Sequence, residues 1–486
     1  MLDTFIRSLG DPLISVSLIA NLYILWRIIS PLFQKTAVPP IGYPHWMPFG
    51  SYYGGLRFFF NSQKMLREGY SKYKSGHFMV PRWRDWVILV TGDKIVEELF
   101  KMPQDTLSLM DAAKDELQIS HTLGLTSFTD PYHVPLLRTK FLRHQQVLVA
   151  EAMDEVTSAF DRVIGQHCKD GSKEFVVVDE AARIVAQTFN RIFVGNPTCS
   201  NEDYINIVSQ FAVDAMVTAT IINIFPRFLH SLIGSILSKL SRTVRRASIH
   251  LAPLIEERKK VYEVEGGAFP QQPELLSWLV SSASGEERTT EALVRRMLVV
   301  NVASIHTTSI VFTQSLFNLV SRPQYLQPLR KEVEEALHQH GWTRRALDSL
   351  PLLDSFVKET MRFNEMGSMS FPRKAMKAFT FSDGTHIPEG AYVSTPFSMH
   401  FDEQYYPRPH IFDGFRFVQE DQNGLKFSSP EMTRTSPSFL SFGHGRHACV
   451  SFYSSDLWQR LISTLDKARE ISCDIHCEVH ASACPR

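Results

Sequence analysis

Eight residues near the end of the chain, Phe442-Gly443-His444-Gly445-Arg446-His447-Ala448-Cys449, combine a metal-ligating sulfur with a loop able to present it. The cysteine ligates as its thiolate. Gly443 and Gly445 can take backbone angles closed to residues with side chains and let another group approach closely. Arg446 and His447 place two potential cations beside the sulfur, which suits a ligand that carries negative charge of its own. The chemistry on offer is thiolate ligation of a metal within an anionic group.

Other residues could complete such a site. Ala303-Ser304-Ile305-His306-Thr307-Thr308 sets small and hydroxylated residues side by side. These let a flat group and dioxygen lie against a helix, and a hydroxyl can disturb local backbone bonding and hold a water. His306, with an unperturbed pKa of about 6.5, can relay protons or can sit idle and hydrogen-bonded in the core. Glu359 and Arg362, three residues apart, share a helix face and can pair. E-x-x-R alone arises about once by chance in a chain this long, so its value is positional. It follows the Thr307 stretch and precedes Arg416 in Phe412-Asp413-Gly414-Phe415-Arg416-Phe417, with the apolar run Met366 to Phe371 and then Pro372-Arg373 between. Past the loop, Cys473, His476, Cys477, His480 and Cys484 are zinc-type ligands. Their spacing matches no standard finger, and a frayed terminus is the simpler reading.

The elements that must hold these groups read as mostly helical. Glu291 to Ser321 is an expected helix stopped by Arg322-Pro323, with Leu293, Met297, Val300, Phe312, Leu316 and Leu319 on its apolar face. Phe211 to Leu240 is rich in apolar residues, Ile221, Ile222, Ile224 and Phe225 before Pro226 and Phe228, Leu229, Leu232 and Ile233 after it, and should break at Pro226. Phe78 to Val80 and Trp86 to Val90 read as a β-hairpin, and Phe379 to Phe381 as a strand turning through Ser382-Asp383-Gly384. Pro12 to Phe33 is apolar enough to span a bilayer, with basic residues in excess after it, which places the body of the chain in the cytosol. Val38-Pro39-Pro40 to Pro44 should be a stiff connector. The expected organisation is an anchor over 1–35 and one large domain over 36–486. Lys+Arg and Asp+Glu balance at 51 each among 486 residues, so no global field points to nucleic acid. Six irregularly spaced cysteines argue against a disulfide framework.

Together these motifs resemble the cytochrome P-450 family, in its fungal microsomal form. Phe442 to Cys449 is similar to that family's haem loop, F-G-x-G-R-H-x-C. The resemblance implies a mainly α fold with a small β region, the cytochrome P-450 fold, preceded by one transmembrane helix. It implies haem b held by Cys449 as axial ligand, with Phe442, Gly443, Gly445, Arg446 and His447 around it and Arg373 on a propionate. His447, rather than Arg446, stands at the motif's basic position. Thr307, aided by His306, would deliver protons on the distal side, and Glu359, Arg362 and Arg416 would form a bracing triad. Met366 to Phe371 would line the substrate pocket, and the pair of helices around Pro226 would roof it and touch lipid. The activity implied is insertion of one atom of O2 into a small apolar substrate. With no flavin or nicotinamide fingerprint on the chain, electrons come from a partner, which the family suggests is membrane-bound NADPH–cytochrome P-450 reductase of the endoplasmic reticulum. Likeness to fungal enzymes favours secondary, possibly terpenoid, metabolism.

After Cys449 the resemblance stops: Val450-Ser451-Phe452-Tyr453 replaces the family's P-G-R-F. Two other readings follow, a catalytically inactive membrane-anchored isoform and a haem-thiolate isomerase or dehydratase that needs no reductase.

Overall fold

The computed structural model describes residues 38–449, apart from 43–49, 75, 83–84, 168–176, 267–273, 342, 422–423 and 428–433. The expected anchor and the tail from 450 onward, with its possible helix and zinc ligands, lie outside the described residues.

A long helix, α1 (Gly50–Lys72), lies against the first strand of a small sheet. Strands β1 (Phe78–Pro81) and β2 (Trp86–Leu89) pair antiparallel with Val80 opposite Val87, and Pro81 is included at the end where no further ladder bond is needed. Helix α2 (Asp93–Lys101) follows, then β3 (Leu107–Ser108). With β4 (Arg373–Ala375) and β7 (Tyr392–Ser394) the sheet is completed in the order β1-β2-β7-β4-β3. Strands β5 (Phe379–Thr380) and β6 (His386–Ile387) form a separate hairpin across the Asp383-Gly384 turn.

Between the two halves of the sheet the chain is helical: α3 (His133–His167), α4 (Val177–Phe193), α5 (Glu202–Ile224), α6 (His230–Leu237), α7 (Leu240–Val264), α8 (Thr290–Ser321), α9 (Leu326–His340) and α10 (Pro351–Asn364). The break after α5 falls at Pro226, because the residue before a proline is pushed out of the helical region; Phe225 has φ −85° and ψ 157°. Helix α8 begins where the Thr289 hydroxyl accepts the Ala292 N–H and ends at Arg322, one residue before Pro323. It runs through the main core, with Leu293, Val294, Met297, Leu298 and Ile305 fully buried.

Among the described residues two helices, α5 and α8, are long and apolar enough to cross a membrane, but 50% and 61% of those windows are buried inside the fold. Most of the apolar face of α8 lies in the core, whereas α5 also leaves Val213, Met216 and Val217 exposed. Three polar side chains in the core are tied to one another: Asn190 donates to Asn301 Oδ1 at 2.8 Å, and the Tyr204 hydroxyl donates to Asn190 Oδ1 at 3.1 Å, linking α4, α5 and α8. The start of α10 has no side-chain cap of its own. Glu332 on α9 supplies one, accepting from Leu352 N at 2.7 Å and Leu353 N at 2.9 Å.

Candidate active site

A cavity of about 270 Å³ opens where α8, α10, β4 and the cysteine loop meet. Thr307, Thr308 and Val311 of α8 form one wall. Val357 and Met361 of α10, then Met366, Ser370 and Phe371 beyond it, form another. Opposite them lie Phe442, Gly443 and Cys449.

The cysteine loop is tightly wound. Cys449 N–H bonds to Phe442 O at 2.8 Å and Gly443 N–H to Leu440 O at 2.8 Å. Gly445 has φ +69°, and a Cβ there would come within 2.9 Å of the Phe100 carbonyl oxygen. Only glycine satisfies both constraints. Cys449 itself is exposed on the cavity side. Arg446 points outward, donating to Lys101 O at 3.1 Å, while Arg138 of α3 donates to the Arg446 carbonyl at 3.3 Å. The His447 side chain lies outside the described ones.

Arg373, the first residue of β4, is 2% exposed, and its Nε and Nη1 have no hydrogen-bond partner. Burial, with Arg446 nearby, pushes its pKa down to about 10. The Phe100 ring lies 4.8 Å from its guanidinium carbon. A buried cation with unmet donors is costly unless an anion completes it. This one borders the same cavity as the cysteine.

Glu359, Arg362 and Arg416 come together. Arg362 grips Glu359 with Nε–Oε2 at 2.7 Å and Nη2–Oε1 at 2.8 Å, and Arg416 Nε reaches Oε2 at 3.1 Å. Arg362 Nη1 donates to His400 O at 2.6 Å, and Asp413 N–H to Glu359 Oε1 at 3.0 Å. The network ties α10 to the segment that leads toward the loop.

Thr307 lies on the cavity wall with its hydroxyl bonded back to Ala303 O at 3.0 Å. His306 is not brought to that wall. Its Nε2 meets the Ser209 carbonyl of α5 at 3.0 Å, because one step along a helix turns a side chain by about 100°.

Several participants gave no local signal. Phe100 meets both Arg373 and Gly445 from a helix that lies far earlier in the chain than either. His444, the unspecified position of the loop string, bonds Glu97 Oε2 at 2.9 Å and Thr435 Oγ1 at 2.9 Å. Lys101 and His444 hold the Glu97 carboxyl below the usual carboxylate range.

The family model for cytochrome P450 matches residues 61–450. The chain belongs to the cytochrome P-450 family. It is 35% identical over 439 residues to cytochrome P-450 monooxygenase 71 of Postia placenta, covering 89% of this chain and 86% of that one. It is 30% identical over 400 residues to cytochrome P-450 monooxygenase CYP512U6 of Ganoderma lucidum, covering 81% and 77%. Among solved structures, retinoic acid bound cyanobacterial CYP120A1 superposes with a TM-score of 0.61 at 19% identity, covering 89% of this chain and 92% of that one. That likeness shows the fold: the cytochrome P-450 fold, mainly helical with a small β region.

The chain is accordingly a cytochrome P-450 monooxygenase, and the family's cofactor is haem b. The residues present fit that group. An exposed cysteine and a buried guanidinium lacking an anion share one cavity, opposite a helix face of small and hydroxylated residues. As in the family generally, O2, a substrate and a redox partner complete the system.

Proposed function

We propose that this cytochrome P-450 oxygenates a small apolar molecule of fungal secondary metabolism, a terpenoid being the favoured class. The observation that carries the haem site is Arg373: a buried cation with two unmet donors beside the exposed Cys449. Cys449 would be the axial ligand, and Arg373, with His447, would hold the propionates. When bound, the haem supplies reductive activation of O2, and a thiolate ligand favours O–O cleavage. The chain's own work is to position and to move protons. Thr307 can release Ala303 O and turn its hydroxyl into the cavity, where it can hold a water or pass a proton. His306, bonded to Ser209 O, reaches that path only by giving up its tie to α5. The Glu359–Arg362–Arg416 network keeps the region behind the loop rigid.

Met366, Phe371 and Val311 give the cavity an apolar lining, which supports an apolar substrate. The names of relatives from Penicillium and Ganoderma support the same fungal setting. A lipid surface is supported by Phe228 at 61%, Leu232 at 58% and Ile236 at 72% exposure, with Phe59 at 58% and Phe60 at 68% on α1. Arg227, beside Phe228, pairs with Asp85 of the β1–β2 turn at 3.7 Å and so draws that loop toward the α1 side. With residues 1–35 as a single-pass anchor, the catalytic domain would face the cytosol at the endoplasmic reticulum. Arg138, Lys101 and Arg446 around the cysteine loop favour an acidic electron donor, NADPH–cytochrome P-450 reductase.

The test is the spectrum of the reduced, CO-treated full chain. A long-wavelength thiolate–CO Soret band is expected. Its absence would favour the inactive isoform, and turnover without NADPH, reductase and O2 would favour an isomerase or dehydratase.

A further inference from the structure

The side chains of Glu365 and His400 have no part in the roles above. Glu365 directly follows α10, and its backbone, at φ 45° and ψ 120°, lies in a region that L residues rarely adopt. Its side chain is 3% exposed and that of His400 is 0% exposed. Glu365 Oε1 and His400 Nδ1 both lack hydrogen-bond partners, and they face each other at 3.9 Å. That is about 1 Å longer than a hydrogen bond.

The rest of His400 is fixed. Its ring stacks on Phe397 with centroids 5.2 Å apart and lies 5.7 Å from Phe439. Its carbonyl accepts from Arg362 Nη1 at 2.6 Å. Its Nε2 accepts from the Leu440 N–H at 3.5 Å. A backbone N–H can only donate, so Nε2 is the bare nitrogen, and the neutral ring carries its proton on Nδ1, aimed at Glu365. Leu440 in turn accepts from Gly443 N–H at 2.8 Å, which makes it the root of the cysteine loop.

We propose that Glu365 is a positioning residue: by accepting the His400 Nδ1 proton in a hydrogen bond it fixes that ring's tautomer, and the ring holds the Leu440 amide at the root of the Cys449 loop. Buried polar atoms left unmet are costly, and closing one short gap satisfies both. Burial, with Arg362 close by, lowers the His400 pKa to about 3, so the ring stays neutral and Nε2 stays an acceptor. The strained backbone at Glu365 directs its carboxyl inward rather than along the Met366 wall. The purpose given to this pair rests on Cys449 being the haem ligand; the contacts do not.

Hydrogen exchange at the Leu440 amide of the full chain, as purified, tests the pair. Glu365→Asn tolerates a positive φ but is one methylene too short to reach His400, whereas Glu365→Gln keeps the reach. The Asn variant is expected to exchange about tenfold faster at Leu440, and the Gln variant within about twofold of wild type. His400→Phe should match the Asn variant, and adding Glu365→Asn to it should change nothing more. Equal exchange in the Asn and Gln variants overturns the proposal, as does an Asn effect that persists in the His400→Phe background. If Glu365→Asn fails to fold, Glu365→Gly provides the same contrast with Gln. Absence of the thiolate–CO band in wild type would overturn the haem-ligand reading instead and would leave the Leu440 result unaffected.

Discussion

Two arginines, both buried to 2% exposure or less, show how differently one side chain can be used in one fold. Arg362 is saturated: three of its nitrogens donate to Glu359 and to the His400 carbonyl. Arg373, eleven positions later, has a bare Nε and Nη1 beside a cavity. A satisfied buried charge is architecture. An unsatisfied one carries the desolvation cost of a guanidinium without the bonds that offset it.

That contrast can be broken first at the satisfied end. Arg362→Leu leaves the buried Glu359 with only Arg416 and the Asp413 N–H and is expected to cost about 3–5 kcal/mol, enough to prevent folding in most preparations. A soluble variant with an unchanged urea midpoint would remove the architectural role. Arg373→Met should behave oppositely. The haem-free chain should be as stable as wild type or more stable by about 1 kcal/mol, while haem retention falls roughly ten- to a hundredfold, as expected for lost charge-assisted bonds. Transfer of haem to an acceptor protein reads the second quantity and urea unfolding the first; loss of both together would make Arg373 merely structural.

Smaller effects sharpen the picture on the distal side. Thr307→Ala leaves the helix intact but removes the hydroxyl now resting on Ala303, and should lower product formed per O2 consumed by about tenfold. Unchanged coupling would take proton delivery away from Thr307.

The smallest effect concerns Glu365. Burial pushes its pKa up to about 8 from the ordinary 4.5, against the pull of Arg67 and Arg362. Between those two values the folded chain keeps a proton that the unfolded chain releases, so stability should fall as pH rises through that window. His400 faces the same carboxyl, but as a neutral ring that titrates far lower. Glu365→Gln, with nothing to titrate, should flatten that slope; a slope identical to wild type would assign it to other groups.

Much of the site was legible because its signals are local. A thiolate ligand needs a cysteine on a glycine-bearing turn, and an i, i+3 carboxylate–guanidinium pair needs only a helix. Hence Cys449, Gly445, Glu359 and Arg362 could be named from spacing, and Pro226 and Pro323 mark helix breaks through the missing N–H and the restricted preceding residue. His306 shows the limit. Its neighbour Thr307 faces the cavity, yet which of two adjacent helical residues does so depends on the rotation of α8 within the core. Packing against α4, α5 and α7 sets that rotation.

The sequence by itself determined the glycine-bearing cysteine loop, the helix that carries Thr307, the Glu359–Arg362 pair and the family. Each is a statement about residues close in the chain, or about an ordered set of such motifs. Only the tertiary structure decided what comes from afar: Phe100 beneath Arg373, Glu332 capping α10, Glu97 on His444, and Glu365 aimed at His400. Those contacts carry no spacing signature, because burial and the direction of a side chain exist only once the helices have packed.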